Sequence, residues 1–580
     1  MTNLLIFSLI TALVGTLFIV PLTKRAPSST EGKEQEEIEL SNSWTNAVNN
    51  YRVPLLITTF ILLFIIVFST YYVTNLDRNI SSLTIFALST LLLGALISSG
   101  KEAGAKGFLF LLALGFGIYL WSAPLFNATD KYESVAMDEK VEIEAFDETK
   151  KPASVPPKFA RNKMKKAFGQ VPNTSYYELG TLQIQKVGDD YVYVAPVEFS
   201  GFFKWFKGKS VPGYFMMSAT DSAANPKFHA FEMEYTPSSY LHKEVTRHMR
   251  MKYPELIFYG KPQLEVTDEG KPYYIRSYGS FISARDGFDA KGIIMLDPAN
   301  GNVEKFAMKD IPSFINGAVA PEAVSLQNSY YGKYIHGFWN TVFGKKDVKL
   351  PSDEGTEANV SPVFDETGHM YYFTDFTSPK EGVDSMLGYS LTDARTGKGT
   401  YYTGNLEESY MDSQGALQII EKKFIEKKWS GQMPVLYNFY GEASWLTPVM
   451  DSNGFLQNYF IVSAANPEIS VYADSPSAAL KLYKTALQRG GSTVDQSSKA
   501  EEKETTITVQ RVHMETTNDQ TLVSILATNG QNFLVSTEVD PLSIYIERGD
   551  ILQVTYADTG ELFLPIKTMN NTSLNEQPTE

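Results

Sequence analysis

Apolar and polar positions divide the 580-residue chain at about residue 130. Before that point, four stretches carry no charged side chain: Thr2–Thr23, Val53–Leu76, Ile80–Gly100 and Gly107–Thr129. Each has about the length a helix needs to cross the hydrocarbon core, roughly 20 residues. The pattern predicts a four-helix transmembrane anchor over 1–129. The first stretch is followed, not preceded, by Lys24 and Arg25, so it reads as a retained span rather than a cleaved leader. Lys and Arg are concentrated in the first connection (Lys24, Arg25, Lys33, Arg52) and the third (Lys101, Lys106), with only Arg78 in the second. That asymmetry orients the first and third connections toward the cytoplasm and predicts that residues 130–580 are extracytoplasmic. Gly94–Ala95 and Gly104–Ala105–Gly107 are small-residue sites suited to helix packing or short loops.

Beyond the anchor the apolar runs shorten. Residues 130–172 read as an acidic, proline-containing tether followed by a basic segment with Lys158, Arg161, Lys163, Lys165 and Lys166. On a helix, Ala160, Met164, Ala167 and Phe168 share one face. This segment is either a membrane-surface helix or the solvated first helix of the next domain.

The phrases "PELIFYG" (Pro254–Gly260) and "PVLYNFYG" (Pro434–Gly441) then mark an echo. Around each lie alternating Tyr/Val/Phe strands and one amphipathic helix. The first helix has Leu241, Val245 and Met249 on one face, with Thr236–Pro237 at its start. The second has Leu417, Ile420 and Phe424. The pattern predicts two tandem α+β repeats over 173–333 and 334–489, each a helix on an antiparallel sheet. Residues 490–504 read as a linker. Residues 505–569 read as short strands only, a small C-terminal all-β barrel of OB or SH3 type, ahead of a disordered tail at 570–580.

The repeated unit resembles the PepSY family: a helix, a long strand pair, and a strand ending in an Asp-containing turn closed by Gly. The turn is Asp297–Gly301 in the first copy. Asp393–Gly397 in the second copy precedes its helix instead of following it. The resemblance implies small α+β units outside the membrane that bind or modulate other envelope proteins. It brings no catalytic residues.

Composition narrows the chemistry. The net charge of −15 argues against a general polyanion-binding surface. Residues 501–580 hold 4 basic and 13 acidic side chains, so the barrel is not expected to bind nucleic acid. The chain has no Cys, which excludes disulfides and thiolate chemistry. The six histidines (His229, His242, His248, His336, His369, His513) form no HExxH, and no P-loop, dinucleotide or GxSxG motif occurs. No catalytic, cofactor-binding or metal-binding residue is therefore nominated, and no cofactor. Acidic pairs such as Asp189–Asp190 and Glu407–Glu408 read as solvated turns.

Two aromatic–basic clusters remain, Phe202–Lys209 (Phe202, Phe203, Trp205, Phe206) and His336–Lys346 (Phe338, Trp339). They are either partner or membrane contacts or hairpins packed on the core. The expected function is a binding, scaffold or regulatory component of the cell envelope, partnered by the membrane and another envelope protein, with self-association open. An extracytoplasmic hydrolase of wall polymer or peptide and an accessory subunit of a transport or secretion complex are the alternatives.

Overall fold

In the computed structural model, the described residues are 2–23, 50–77, 80–141, 152, 154–282, 287–353, 358–365, 367–380, 382, 385–404, 409–489, 502–517, 520–537, 539–557 and 563–575. Lys24, Arg25, Lys33, Arg78, Glu407, Glu408, most of the expected linker (490–501) and the last five residues of the expected tail (576–580) lie outside them. The chain forms two compact units. The first comprises residues 1–139, 157–383 and 389–401, and the second 140–156, 384–388 and 402–580.

The first unit opens with α1 (Thr2–Ile19), α2 (Arg52–Thr74), α3 (Ile80–Ile97) and α4 (Gly100–Phe126). All four are long and apolar enough to cross a membrane. The third connection is shorter than expected. Helix α4 starts at Gly100, so Lys101, Glu102 and Lys106 belong to its first turns and not to a loop. The reason is visible in their contacts. The Glu102 carboxylate accepts from Leu22 N (2.6 Å) and Thr23 N (2.8 Å). Lys106 donates to Val20 O and Ser98 Oγ, both at 3.0 Å, and pairs with Glu102 at 2.9 Å. Arg52 donates to Leu22 O. The last carbonyls of a helix lack partners of their own, and these cations cover the end of α1 and the residues after it.

Close packing between α1 and α3 depends on Gly94. A Cβ there would lie 1.8 Å from Phe18 O, so the two backbones touch, as small residues allow in membranes. A Cβ added at Gly104 or Gly107 would meet nothing within 4 Å outside its own helix, so neither position needs glycine for close packing. Gly94→Ala is expected to destabilise the anchor by about 1–3 kcal/mol through overpacking, while Gly104→Ala leaves it unchanged. Thermal melts of the detergent-solubilised chain check this, and equal melting of the two variants would refute it.

After the anchor, the residues read as tether include most of α5 (Ala128–Ser134) and the strand Asp138–Lys140. The basic segment is α6 (Pro157–Lys166), with Ala160 and Met164 fully buried and Phe168 stacked on Phe215 at 5.9 Å.

Residues 177–473 then form four antiparallel sheets with one shared connectivity. In each, the first two short strands pair side by side along one edge of the same long strand. A second long strand and a short fifth follow as a meander, and a helix comes after. Sheet I uses 177–179, 183–187, 190–199, 211–218 and 227–233, and sheet II uses 257–258, 263–266, 272–280, 289–296 and 303–307. Sheet III uses 350–351, 361–364, 370–377, 386–393 and 399–402, with 138–140 added at its far edge. The helices in this unit are α7 (Phe202–Gly208), within sheet I's meander, then α8 (Val245–Lys252), α9 (Pro321–Lys333) and α10 (Gly337–Trp339), which runs on into a π-turn at Asn340–Gly344.

Each expected copy therefore spans two sheets. The equivalent turns make this plain. Asp297–Gly301 and Asp393–Gly397 both join the fourth and fifth strands of a sheet, and both precede a helix. Each is closed by Gly N to Asp O at 2.8 Å, with the Asp carboxylate capping the turn and Gly at φ 76° or 74°. The two echo phrases, by contrast, occupy different halves of the split edge: Ile257–Phe258 is the first half in sheet II, and Val435–Phe439 the second half in sheet IV. A proline beside the break (Pro262, Pro434) removes a ladder donor, and Gly260 and Gly441 close the turns at φ 72° and 86°.

The second unit holds α11 (Ser413–Lys423), capped by Asp412 accepting from Gly415 N at 2.9 Å, then sheet IV and α12 (Pro476–Arg489). Sheet IV uses 430–431, 435–439, 442–450, 456–463 and 470–473. Of the expected apolar face, Ile420 is buried, Leu417 is half-buried and Phe424, the C-cap residue just past the helix, is buried. Five strands, 502–517, 520–527, 532–536, 551–557 and 563–571, close a barrel in the spatial order first, second, third, fifth, fourth, with the third parallel to the fifth. The first strand kinks at a bulge between Val509 and Arg511 and serves both halves. The C-terminal strands expected from the sequence thus form a closed five-stranded barrel.

Candidate functional site

Within the first unit, the turns joining the second and third strands of sheets I, II and III meet. Gly188 N, in the sheet I turn, donates to Asp268 Oδ1 of the sheet II turn at 2.8 Å. Lys186 Nζ reaches Thr367 O of the sheet III turn at 3.3 Å. Tyr191 and Phe364 stack at 4.2 Å, joining sheets I and III. The turns meet because short, Gly-closed connections let the strand ends approach: a Cβ on Gly368, at φ 84°, would strike the Lys186 side chain.

Between them lies an open cleft of about 340 Å³, lined by Lys186, Gly188, Asp268, Ser313–Asn316, Thr367–Met370 and Arg395. Arg395 shapes one wall. Its guanidinium donates to Ile311 O (3.0 Å), Pro312 O (3.1 Å), Ser313 O (3.2 Å) and Ile315 O, so one rigid fork fixes the 311–315 loop. His369 meets Asp393 Oδ2 at 3.0 Å, and Asp365 Oδ1 accepts from Thr367 N and His369 N. Asn316 donates to Phe314 O at 2.9 Å.

A buried carboxyl stands directly behind this wall. Glu265 accepts from Gly317 N (3.2 Å) and Asn316 N (3.4 Å), and burial pushes it up to about 7 against a lowering pull from these donors and Arg395. Desolvation disfavours the charged form, which is why it dominates here. The phenol of Tyr372 close by is likewise raised, first by burial and then by Glu265. Gln185 accepts from Val266 N at 3.0 Å, while its amide nitrogen has no partner among the described residues. A second buried carboxyl, Glu198 in sheet I, is also raised to about 7 by burial despite donors from Ser238 and Tyr274. Both side chains are enclosed, so neither presents an oxygen to the cleft.

None of the nominated contact residues lines this cleft. Arg161 donates to Gly180 O, and Lys163 to Ser222 O and Ala224 O, so both tie α6 to sheet I; burial lowers Lys163. Lys158, Lys165 and Lys166 are exposed. Trp205 is buried against Phe202 and Tyr240, and Phe338 is half-buried, whereas Phe202, Phe203, Phe206 and Trp339 are exposed. The cleft residues left no local motif: they come from separate turns, and the only hint is Asp/Gly turn chemistry.

A separate polar cluster fastens the anchor to this body. Glu244 caps α8 by accepting from Thr246 N and Arg247 N, and also accepts from Asn75 Nδ2 at 2.9 Å. Arg247 donates to Tyr72 O (2.7 Å) and Val73 O (3.3 Å), covering carbonyls at the end of α2. Arg250 pairs with Asp77 at 2.5 Å and lies over Phe258. The connection between α2 and α3 thus sits on the same side as the sheets. The helix start expected at Thr236–Pro237 moves to Val245 because Glu244 supplies this cap. Val245 and Met249 stay buried, and Leu241 is left out of the helix.

No family model matches the sequence, and no curated protein matches it. Among solved structures, a glycoside hydrolase aligns at 10% identity over 65% of this chain and 94% of its own length, with a TM-score of 0.19. An exo-β-1,3-galactanase from Phanerochaete chrysosporium aligns at 10% over 65% and 64%, at 0.16. A xylan β-1,4-xylosidase from Bacillus halodurans C-125 aligns at 14% over 71% and 60%, at 0.17. TM-scores this low carry neither a shared fold nor an activity to this chain, in which four helices long and apolar enough to cross a membrane precede a β-rich body.

Proposed function

We propose that this protein is a membrane-tethered binding component of the cell envelope, holding residues 130–580 outside the cytoplasm and taking a polar segment of another envelope protein into the cleft between sheets I, II and III. The observation that supports it is the cleft itself. Backbone turns from three sheets and the Arg395 fork hold its walls, while Lys186, Asp268, Asn316 and Thr367 present polar groups to its space. Preorganised walls with a few placed polar groups suit recognition. Lys186 and Arg395 against Asp268 give the lining a small positive excess, which favours an acidic or carboxylate-bearing segment. The hydrolase alternative asks for a pair of carboxylates at the cleft surface; Asp268 is the single carboxylate among the lining residues, and the two carboxyls with raised pKa are enclosed.

The test is a photo-crosslinking residue placed at Ser313 or Thr367 of the full-length chain in its native membrane. A discrete adduct with another envelope protein, weakened by Lys186→Glu, is expected. Adducts indistinguishable from those of a probe at exposed Lys398 would refute the reading.

A further inference from the structure

We propose that the body carries a second, peripheral attachment to the bilayer, in which α7, Leu241 and the segment 337–344 enter the headgroup layer of an anionic leaflet. Large apolar side chains are left in the open there. Phe203 is 78% exposed, Phe206 65%, Trp339 60% and Phe343 79%. Trp339 and Phe343 stack at 5.8 Å and face outward together. Leu241 is 51% exposed and holds φ 56°, a left-handed conformation that disfavours a residue with a Cβ and that sets its side chain apart from the buried face of α8.

These groups sit level with the helix ends. Tyr240 packs on Phe202 and Trp205 at 5.1 and 5.5 Å. The next residue, Leu241, accepts from Arg247 through its carbonyl at 2.6 Å, and the same guanidinium covers Tyr72 O at the end of α2. Gly337–Trp339 packs against α5 and α4, with Gly337 at φ 75° turned toward Thr129. The apolar span of α4 ends at Ala123, and exposed Trp121 and Phe126 mark the same level. Aromatic rings at a membrane–water boundary bury an apolar body while keeping polar neighbours wet. Lys204, Lys207 and Lys209 on one patch and Lys345 and Lys346 on the other are placed to extend toward anionic headgroups. A protein partner is the competing occupant. Lipid is favoured because both patches lie beside helix ends that must meet the headgroup layer. The result is a body held at fixed height by lipid contact as well as by its latch.

The absence of cysteines makes the test clean. Single cysteines replacing Phe203 and Phe343 in the full-length chain are labelled with an environment-sensitive dye in nanodiscs of phosphatidylglycerol and phosphatidylcholine. Quenching by shallow lipid-borne nitroxides, with protection from aqueous acrylamide relative to free dye, is expected. Lys345→Gln with Lys346→Gln should reduce lipid quenching at position 343 by roughly twofold in anionic discs and leave it unchanged in pure phosphatidylcholine. Labels that acrylamide reaches as freely as free dye would overturn the proposal. So would labels shielded from both quenchers, which would assign the patches to a second copy of the chain. Melting curves of the labelled variants, expected to match the parent at these exposed positions, separate misfolding from lost contact.

Discussion

Arg250→Ala is expected to loosen the fastening between the anchor and the sheets by about 3 kcal/mol, the usual scale for removing one partner of an enclosed ion pair. Arg250 is 6% exposed and meets Asp77 at 2.5 Å. Without it, no cation among the described residues stays within salt-bridge distance of the Asp77 carboxylate, and the ring of Phe258 loses one of the two cations over it. Part of the loss is offset, because Arg276 also lies over Phe258 and is drawn down to about 10, first by burial and then by Arg250. The measurement is hydrogen exchange on the full-length chain in nanodiscs. Amides of residues 245–252 should exchange at least about tenfold faster in Arg250→Ala. Asp77→Ala should behave similarly, and the double variant should be no worse than the worse single, as coupled partners require. Unchanged exchange in α8 would show that the pair holds nothing.

Glu265→Gln is expected to stabilise the first unit at pH 8 and to leave it unchanged near pH 4.5. The sign follows from linkage. Burial raises the carboxyl from its ordinary 4.5 to about 7, so between those values the folded chain binds more protons than the unfolded one. Stability then falls as pH rises from 4.5 to 7 and levels off above it. The full difference amounts to about 3 kcal/mol. Gln mimics the neutral acid, still accepts from Gly317 N, and removes the dependence. In melts of the full-length chain the variant should gain about 5 °C at pH 8 and nothing at pH 4.5. A parent whose melting temperature is flat across this range, or a variant that loses stability at pH 8, would refute the assignment. Glu198 is raised to the same value, so the parent slope contains both groups, and Glu265→Gln should remove only part of it.

The anchor and the barrel were legible along the chain because each rests on local chemistry. An uncharged run of some 20 residues has few fates other than a membrane, and closely spaced short strands close on themselves. The boundary of α4 was not legible, since Glu102 and Lys106 look like loop charges until Leu22, Thr23 and Val20 are brought beside them. The echo of Pro254–Gly260 in Pro434–Gly441 joins non-equivalent places: Pro254 precedes a first short strand and Gly260 follows it at the edge break, whereas Pro434 stands at the break in sheet IV and Gly441 closes the next turn.

What the sequence by itself determined is the division into an apolar helical first quarter and a strand-rich remainder, the helix faces of Met164, Val245, Met249 and Ile420, and the capped Asp–Gly turns. Each depends on residues within a few positions of one another, where periodicity and turn chemistry suffice. Only the tertiary structure decided that four sheets share one connectivity. It also decided that turns some 80 to 180 residues apart, carrying Gly188, Asp268 and Gly368, enclose one cleft, and that Arg247 and Arg250 hold the end of α2. Those contacts join groups distant along the chain through hydrogen bonds and charge, and such pairings leave no period in a single sequence for a reader to find.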